Sequence, residues 1–111
     1  MKEFIAYLTE RIETCIEEIA GMEADGRRDD ADFAKVRLNI YDVCRTVTNA
    51  LTNRPGFGPE TVMSRFEGFR TGWGAALENA RTHGDERTIV VEETKLEALN
   101  DVIAHFPEGR K

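Results

Sequence analysis

Apolar residues recur along most of this chain at alternating steps of three and four, a period that fits one face of an α-helix and not the alternation of a half-buried strand. In the first segment Ile5, Leu8, Ile12, Cys15, Ile19 and Met22 fall on one stripe, widened by Phe4 and Ile16. The pattern stops at Asp25-Gly26, where glycine can take the left-handed conformation that ends helices. The spacing predicts a helix over 2–24. A second stripe runs through Phe33, Val36, Ile40, Val43, Val47 and Ala50, flanked by Tyr41, Cys44 and Leu51. Asp29, Asp30 and Asp32 at its start can cap free N–H groups and suit the positive end of the helix dipole. This segment reads as a helix over 30–53, stopped by Asn53-Arg54-Pro55-Gly56.

The third stripe is Val62, Phe66, Phe69, Trp73, Ala76 and Ala80, with Met63 and Leu77 beside it. Its start is the best-specified boundary in the chain. Gly58 can be the N-cap, and Pro59 then falls at the first helical position, where its missing N–H costs nothing. Phe57 is at the offset that staples onto Val62. His83-Gly84 is a helix stop. In the last segment Thr94 with Glu97 matches a capping box, followed by Leu96, Leu99, Ile103 and Phe106 up to Pro107. We therefore expect a helix over about 94–106; a longer one starting near Glu86 is the alternative, because Ile89 and Glu92 extend the stripe backwards. Residues 107–111 read as a frayed tail. Short linkers make neighbouring helices antiparallel. The expected fold is all-α: one domain over 1–111, a small up-and-down bundle of three long helices plus a shorter C-terminal helix.

Size and charge narrow the function. A chain of 111 residues can bury roughly two-thirds of its unfolded surface in one core. With 32% of residues charged, no apolar run approaches the ~20 residues of a membrane span. Acids interrupt the opening MKEFIAYLTER, unlike a signal peptide, so the expected compartment is the cytoplasm and no membrane partner is expected. The net charge is −6 and is concentrated early, with six acids against two bases in residues 1–24. Phosphate affinity needs clustered Lys and Arg, so no nucleic-acid partner is expected. The acids Glu3, Glu10, Glu13 and Glu17 share the outer face of the first helix. Like charges such as Glu13 and Glu17 at one-turn spacing repel mildly, and a basic protein partner would relieve that.

The candidates for chemistry are few. Cys15 and Cys44 lie on or beside apolar stripes, where thiols tend to be inert. A hairpin turning near Gly26-Arg27 offsets them by about six residues, ~9 Å along the axis, which is too far for a disulfide. Glu97, Asp101 and His105 share one helix edge as a partial metal site, but the Glu-x-x-His motif of di-metal bundles is absent, so no metal or cofactor is expected. The loop Arg54-Pro55-Gly56-Phe57-Gly58-Pro59 reads as a turn and lacks the phosphate-loop pattern.

Gly68, Gly72 and Gly74 inside the third helix are the most unusual local feature. Each costs about 1 kcal/mol relative to Ala, so something must offset about 2–3 kcal/mol. Close approach of another helix, or a kink that seats Trp73, is the expectation. A groove in which a ligand or partner touches bare backbone, walled by Gly68, Phe69, Arg70, Gly72 and Trp73, is the alternative. Apolar residues beyond the main stripes, namely Phe4, Ile16, Leu38, Leu51 and Met63, point to a homodimer. These readings lean away from an enzyme. They favour a non-enzymatic interaction protein, an adaptor, regulator or inhibitor of another protein; the alternative is a small-molecule binding domain or small enzyme with a pocket between helices near Trp73.

Overall fold

A computed structural model describes residues 1–107 and contains four α-helices and no strand among those residues. They are α1 (Lys2–Ala24), α2 (Arg28–Thr52), α3 (Pro59–His83) and α4 (Glu86–Ala104). The expected all-α bundle is present. Of the tail expected to fray, the residues beyond Pro107 lie outside the described ones.

Backbone chemistry at the turns explains the connections. After α1, Gly26 takes φ 74°, and the Arg27 N–H donates to Met22 O at 2.9 Å while the Gly26 N–H donates to Glu23 O at 3.1 Å. That paired closure is the Schellman stop of a helix. Gly84, at φ 66°, ends α3 in the same way, with the Asp85 N–H donating to Ala80 O at 3.0 Å. Gly58 caps α3 with Pro59 directly after it, as the sequence requires. Phe57 and Val62 both join the core.

Three local expectations need correction. At the start of α2 the N-cap is Arg27, without a side-chain cap, so Asp29 and Asp30 lie inside the first turn, where they face the helix dipole, and Asp32 lies beyond it. Helix α4 starts at Glu86 and not near Thr94, because Asp85 caps it: its carboxylate accepts from the Thr88 N–H at 3.2 Å and from the Thr88 hydroxyl at 2.7 Å. Thr94 is therefore an interior, buried residue whose hydroxyl donates to Val90 O at 2.8 Å. The third correction is the buried face of α2, which is Ala31, Ala34, Ile40, Tyr41, Cys44, Thr48 and Leu51. The larger residues Phe33, Val36, Val43 and Val47 are half-buried at its edge and Ala50 is exposed.

Helices α1 and α2 form one hairpin, α3 and α4 the other, and the hairpins meet chiefly through α2 against α4. The molecule is flat, with extents of 45 × 35 × 20 Å. At one end Phe4, Phe66 and Phe106 join α1, α3 and the end of α4, with ring centroids 5.2–6.4 Å apart. Of the apolar residues that suggested a dimer, Phe4 and Leu51 are core, Leu38 and Met63 are half-buried against it, and Ile16 is exposed. Cys15 and Cys44 are free and buried, and burial pushes the Cys44 thiol up to about 12. None of the described helices is long and apolar enough to cross a membrane.

Candidate functional site

Helix α3 turns Val62, Phe66, Leu77 and Ala80 into the core, and that orientation leaves Gly68 and Gly72 exposed and Gly74 half-buried. A methyl group built on Gly68, Gly72 or Gly74 would meet nothing within 4 Å. Among the described residues no helix approaches there, so the expected close contact is absent. The space is open because α3 packs mainly against α4 and only slightly against α2.

Of the residues singled out in the sequence, Phe69 and Trp73 are half-buried and stack on each other, centroids 5.1 Å apart and planes within 11°. The Lys95 ammonium lies 5.7 Å from the centroid of the Trp73 ring. Arg70 is exposed and pairs with Glu67 at 3.3 Å, one turn back on the same helix. A shallow groove of about 620 Å³ over the first half of α3 is lined by Glu60, Thr61, Ser64, Arg65, Gly68 and Phe69. Gly72, Arg70 and Trp73 do not line it. Gly74 is half-buried on another side of the helix, whereas Gly68 and Gly72 belong to a longer exposed stripe of small uncharged residues: Thr61, Ser64, Gly68, Gly72, Ala75 and Asn79. These positions step by three and four and so lie on one face.

The acidic residues Glu3, Glu10, Glu13 and Glu17 are all exposed on α1, and none has an ion-pair partner among the described residues.

A polar cleft of about 400 Å³, lined from α1, α2 and α4, is the part of the molecule that the sequence reading missed. At its centre Asp101 Oδ2 accepts two hydroxyl hydrogen bonds, from Tyr7 at 2.6 Å and from Tyr41 at 2.7 Å. The Arg11 guanidinium lies 5.2 Å from the centroid of the Tyr41 ring, and its Nε is 3.9 Å from the same Oδ2. The His105 ring stacks on Tyr7 at 4.2 Å, with Nδ1 2.8 Å from the Asp101 backbone oxygen. Arg37 and Glu97 complete the polar lining. Burial opposes the charge on Asp101, but the two tyrosine hydroxyls, aided by His105 and Arg11, outweigh it and hold the carboxyl below its usual range. Burial, reinforced by the hydrogen bonds to Asp101, pushes both tyrosines up, Tyr41 to about 12. At neutral pH the centre is thus two phenols donating to a carboxylate. Sequence spacing placed Glu97, Asp101 and His105 on one edge of the chain's last helical segment, but the partners of Asp101 and His105 that build the cleft, Tyr7, Arg11 and Tyr41, come from other helices, at separations no local motif reveals. Among the described residues no group of three or more His, Cys, Asp or Glu side chains is placed to hold a metal ion.

No family model, curated protein or solved structure matches the chain.

Proposed function

We propose that the chain is a non-enzymatic interaction protein of the cytoplasm that pairs with a second copy of itself through the outer face of α3 and serves as an adaptor, regulator or inhibitor of another protein. The observation that carries this reading is the bare glycine face. Gly68 and Gly72 on this face cost α3 about 2 kcal/mol relative to Ala, and no neighbour among the described residues uses the space they leave. A helix of another chain would use it, because bare backbone lets helix axes approach closely.

A second copy suits the face for two reasons. The six stripe residues from Thr61 to Asn79 are uncharged in a chain where 32% of residues are charged, and the two charged residues in the groove beside them, Glu60 and Arg65, are of opposite sign. The stripe also runs ~27 Å along the helix, long enough for an extended two-fold crossing of the same surface on itself. The acidic face of α1 stays exposed in such a pair, and we assign it to a basic partner protein. The rival reading, a small-molecule pocket beside Trp73, has less support, since one neighbour of the Trp73 ring is Phe69 and another is Lys95.

Light scattering at high micromolar concentration tests the pairing. The wild-type chain should give a dimer mass and Gly68→Leu a monomer mass. A wild-type monomer would overturn the proposal.

A further inference from the structure

The cleft at the junction of α1, α2 and α4 is independent of the α3 face and has unused binding capacity of both signs. Arg37 has no hydrogen-bond or ion-pair partner among the described residues. Arg11 is drawn chiefly to the Tyr41 hydroxyl, but its Nε is buried without a hydrogen bond of good geometry, and its 3.9 Å separation from Asp101 Oδ2 is too long for one. Two guanidiniums from adjacent helices therefore line one cleft with donors to spare, and a planar fork of N–H groups is suited to a carboxylate. On the acceptor side, Asp101 Oδ2 is filled by the two tyrosines, whereas Oδ1 has only His105 Nδ1 at 3.6 Å, beyond hydrogen-bond reach. Glu97 on the same wall is exposed and has no ion-pair partner among the described residues.

We propose that this cleft binds a small zwitterion of the α-amino-acid class, its carboxylate held by Arg11 and Arg37 and its ammonium by Asp101 and Glu97. Charge balance selects this class. Two guanidiniums stand against two carboxylates, so a ligand that is itself neutral overall enters without leaving an uncompensated charge, whereas a phosphate dianion meets both carboxylates. Size agrees, because about 400 Å³ lies at the low end of small-molecule sites. The site is also held in shape before any ligand arrives: the Tyr7 and Tyr41 hydroxyls fix Asp101, His105 stacks on Tyr7, and Arg11 lies against the Tyr41 ring.

The test follows the arginine side-chain Nε–H signals of the isotope-labelled full chain by NMR. The standard free L-amino acids are added one at a time, with acetate, methylammonium and inorganic phosphate as separate probes. At least one amino acid should shift the Arg11 and Arg37 signals saturably and bind at least about tenfold more tightly than acetate, methylammonium or phosphate. Arg37→Met and, separately, the exposed Glu97→Gln should each weaken that binding by about tenfold while the backbone spectrum stays folded, as loss of one charge-assisted contact implies. The proposal is overturned if no amino acid gives a saturable shift, if acetate or phosphate binds as tightly as the best amino acid, or if Glu97→Gln leaves the affinity unchanged. A dimer that forms or fails to form at α3 alters none of these readings.

Discussion

Both tyrosines of the chain donate to the same oxygen, so their ionisation reports on the centre of the cleft without a label. Each has a folded-state pKa above its ordinary value of 10.0, first because of burial and then because of the Asp101 carboxylate. A raised folded pKa means that the associated stability is complete below pH 10 and is lost as pH rises towards about 12, where Tyr41 ionises. Tyrosinate absorbance should therefore stay flat in the native protein near pH 10 and rise only as the chain unfolds; half-ionisation near pH 10 with the helices intact would contradict the geometry. Asp101 carries the opposite sign. Its depressed pKa contributes stability above about pH 3.8 that is lost as pH falls below it, and Asp101→Asn should flatten that acid limb of the stability curve. A second residue-scale prediction concerns Glu92, whose side chain is only 8% exposed. Its Oε2 meets Lys95 at 3.0 Å, while its Oε1 is buried without a hydrogen-bond partner. Glu92→Met removes that orphaned acceptor and should raise the unfolding free energy by about 1 kcal/mol, whereas Lys95→Met should lower it. A denaturant midpoint that falls for Glu92→Met would mean that the carboxylate has a partner the structure does not show.

Helix boundaries were legible in the sequence wherever backbone chemistry fixes them, and less so where only side-chain pattern did. The glycines at 26 and 84 end α1 and α3 through a positive φ that few other residues share, and Pro59, whose ring fixes φ and removes the N–H, marks the start of α3. The start of α4 was misplaced because Thr94 and Glu97 form a valid capping box that the β-branched residues before it made attractive. The cap actually used, Asp85 with Thr88, begins directly after the Gly84 stop and lets one short turn serve two helices. Asp85→Ala should therefore fray the first turn of α4 and lower the denaturant midpoint, while Glu97→Ala, on the exposed side of the helix, should leave it nearly unchanged. Loss of equal size from both would favour the Thr94 start. In α2 the stripe drawn through Phe33, Val36 and Val43 was rotated from the buried one. Small Ala31 and Ala34 face the neighbouring helices and Thr48 is buried by returning its hydroxyl to Cys44 O at 2.7 Å, so hydrophobic size alone misjudged the face.

At the scale of the molecule, the bundle follows from four amphipathic periods and short connections, which is why its class could be read before any coordinates. The position of α3 could not be read. Helical period says that a face is apolar but not which helices cover it, and here α3 lies at the margin of a flat molecule with its glycine side uncovered. The polar cleft escaped for a related reason: Tyr7 and Asp101 are 94 positions apart, and Tyr41 read as an ordinary flank of an apolar stripe. The glycines themselves were visible, and only the identity of their neighbour was open. Trp73, the single tryptophan, decides it, because its fluorescence can follow unfolding at several protein concentrations. If the α3 face binds a second copy, mass action should raise the wild-type midpoint as concentration rises. Gly72→Leu should abolish that dependence, yet at the lowest concentration match or exceed the wild type by up to ~1 kcal/mol, since it replaces a poor helix former in open space. A wild-type midpoint independent of concentration, or a Gly72→Leu variant less stable than wild type at high dilution, would contradict the account.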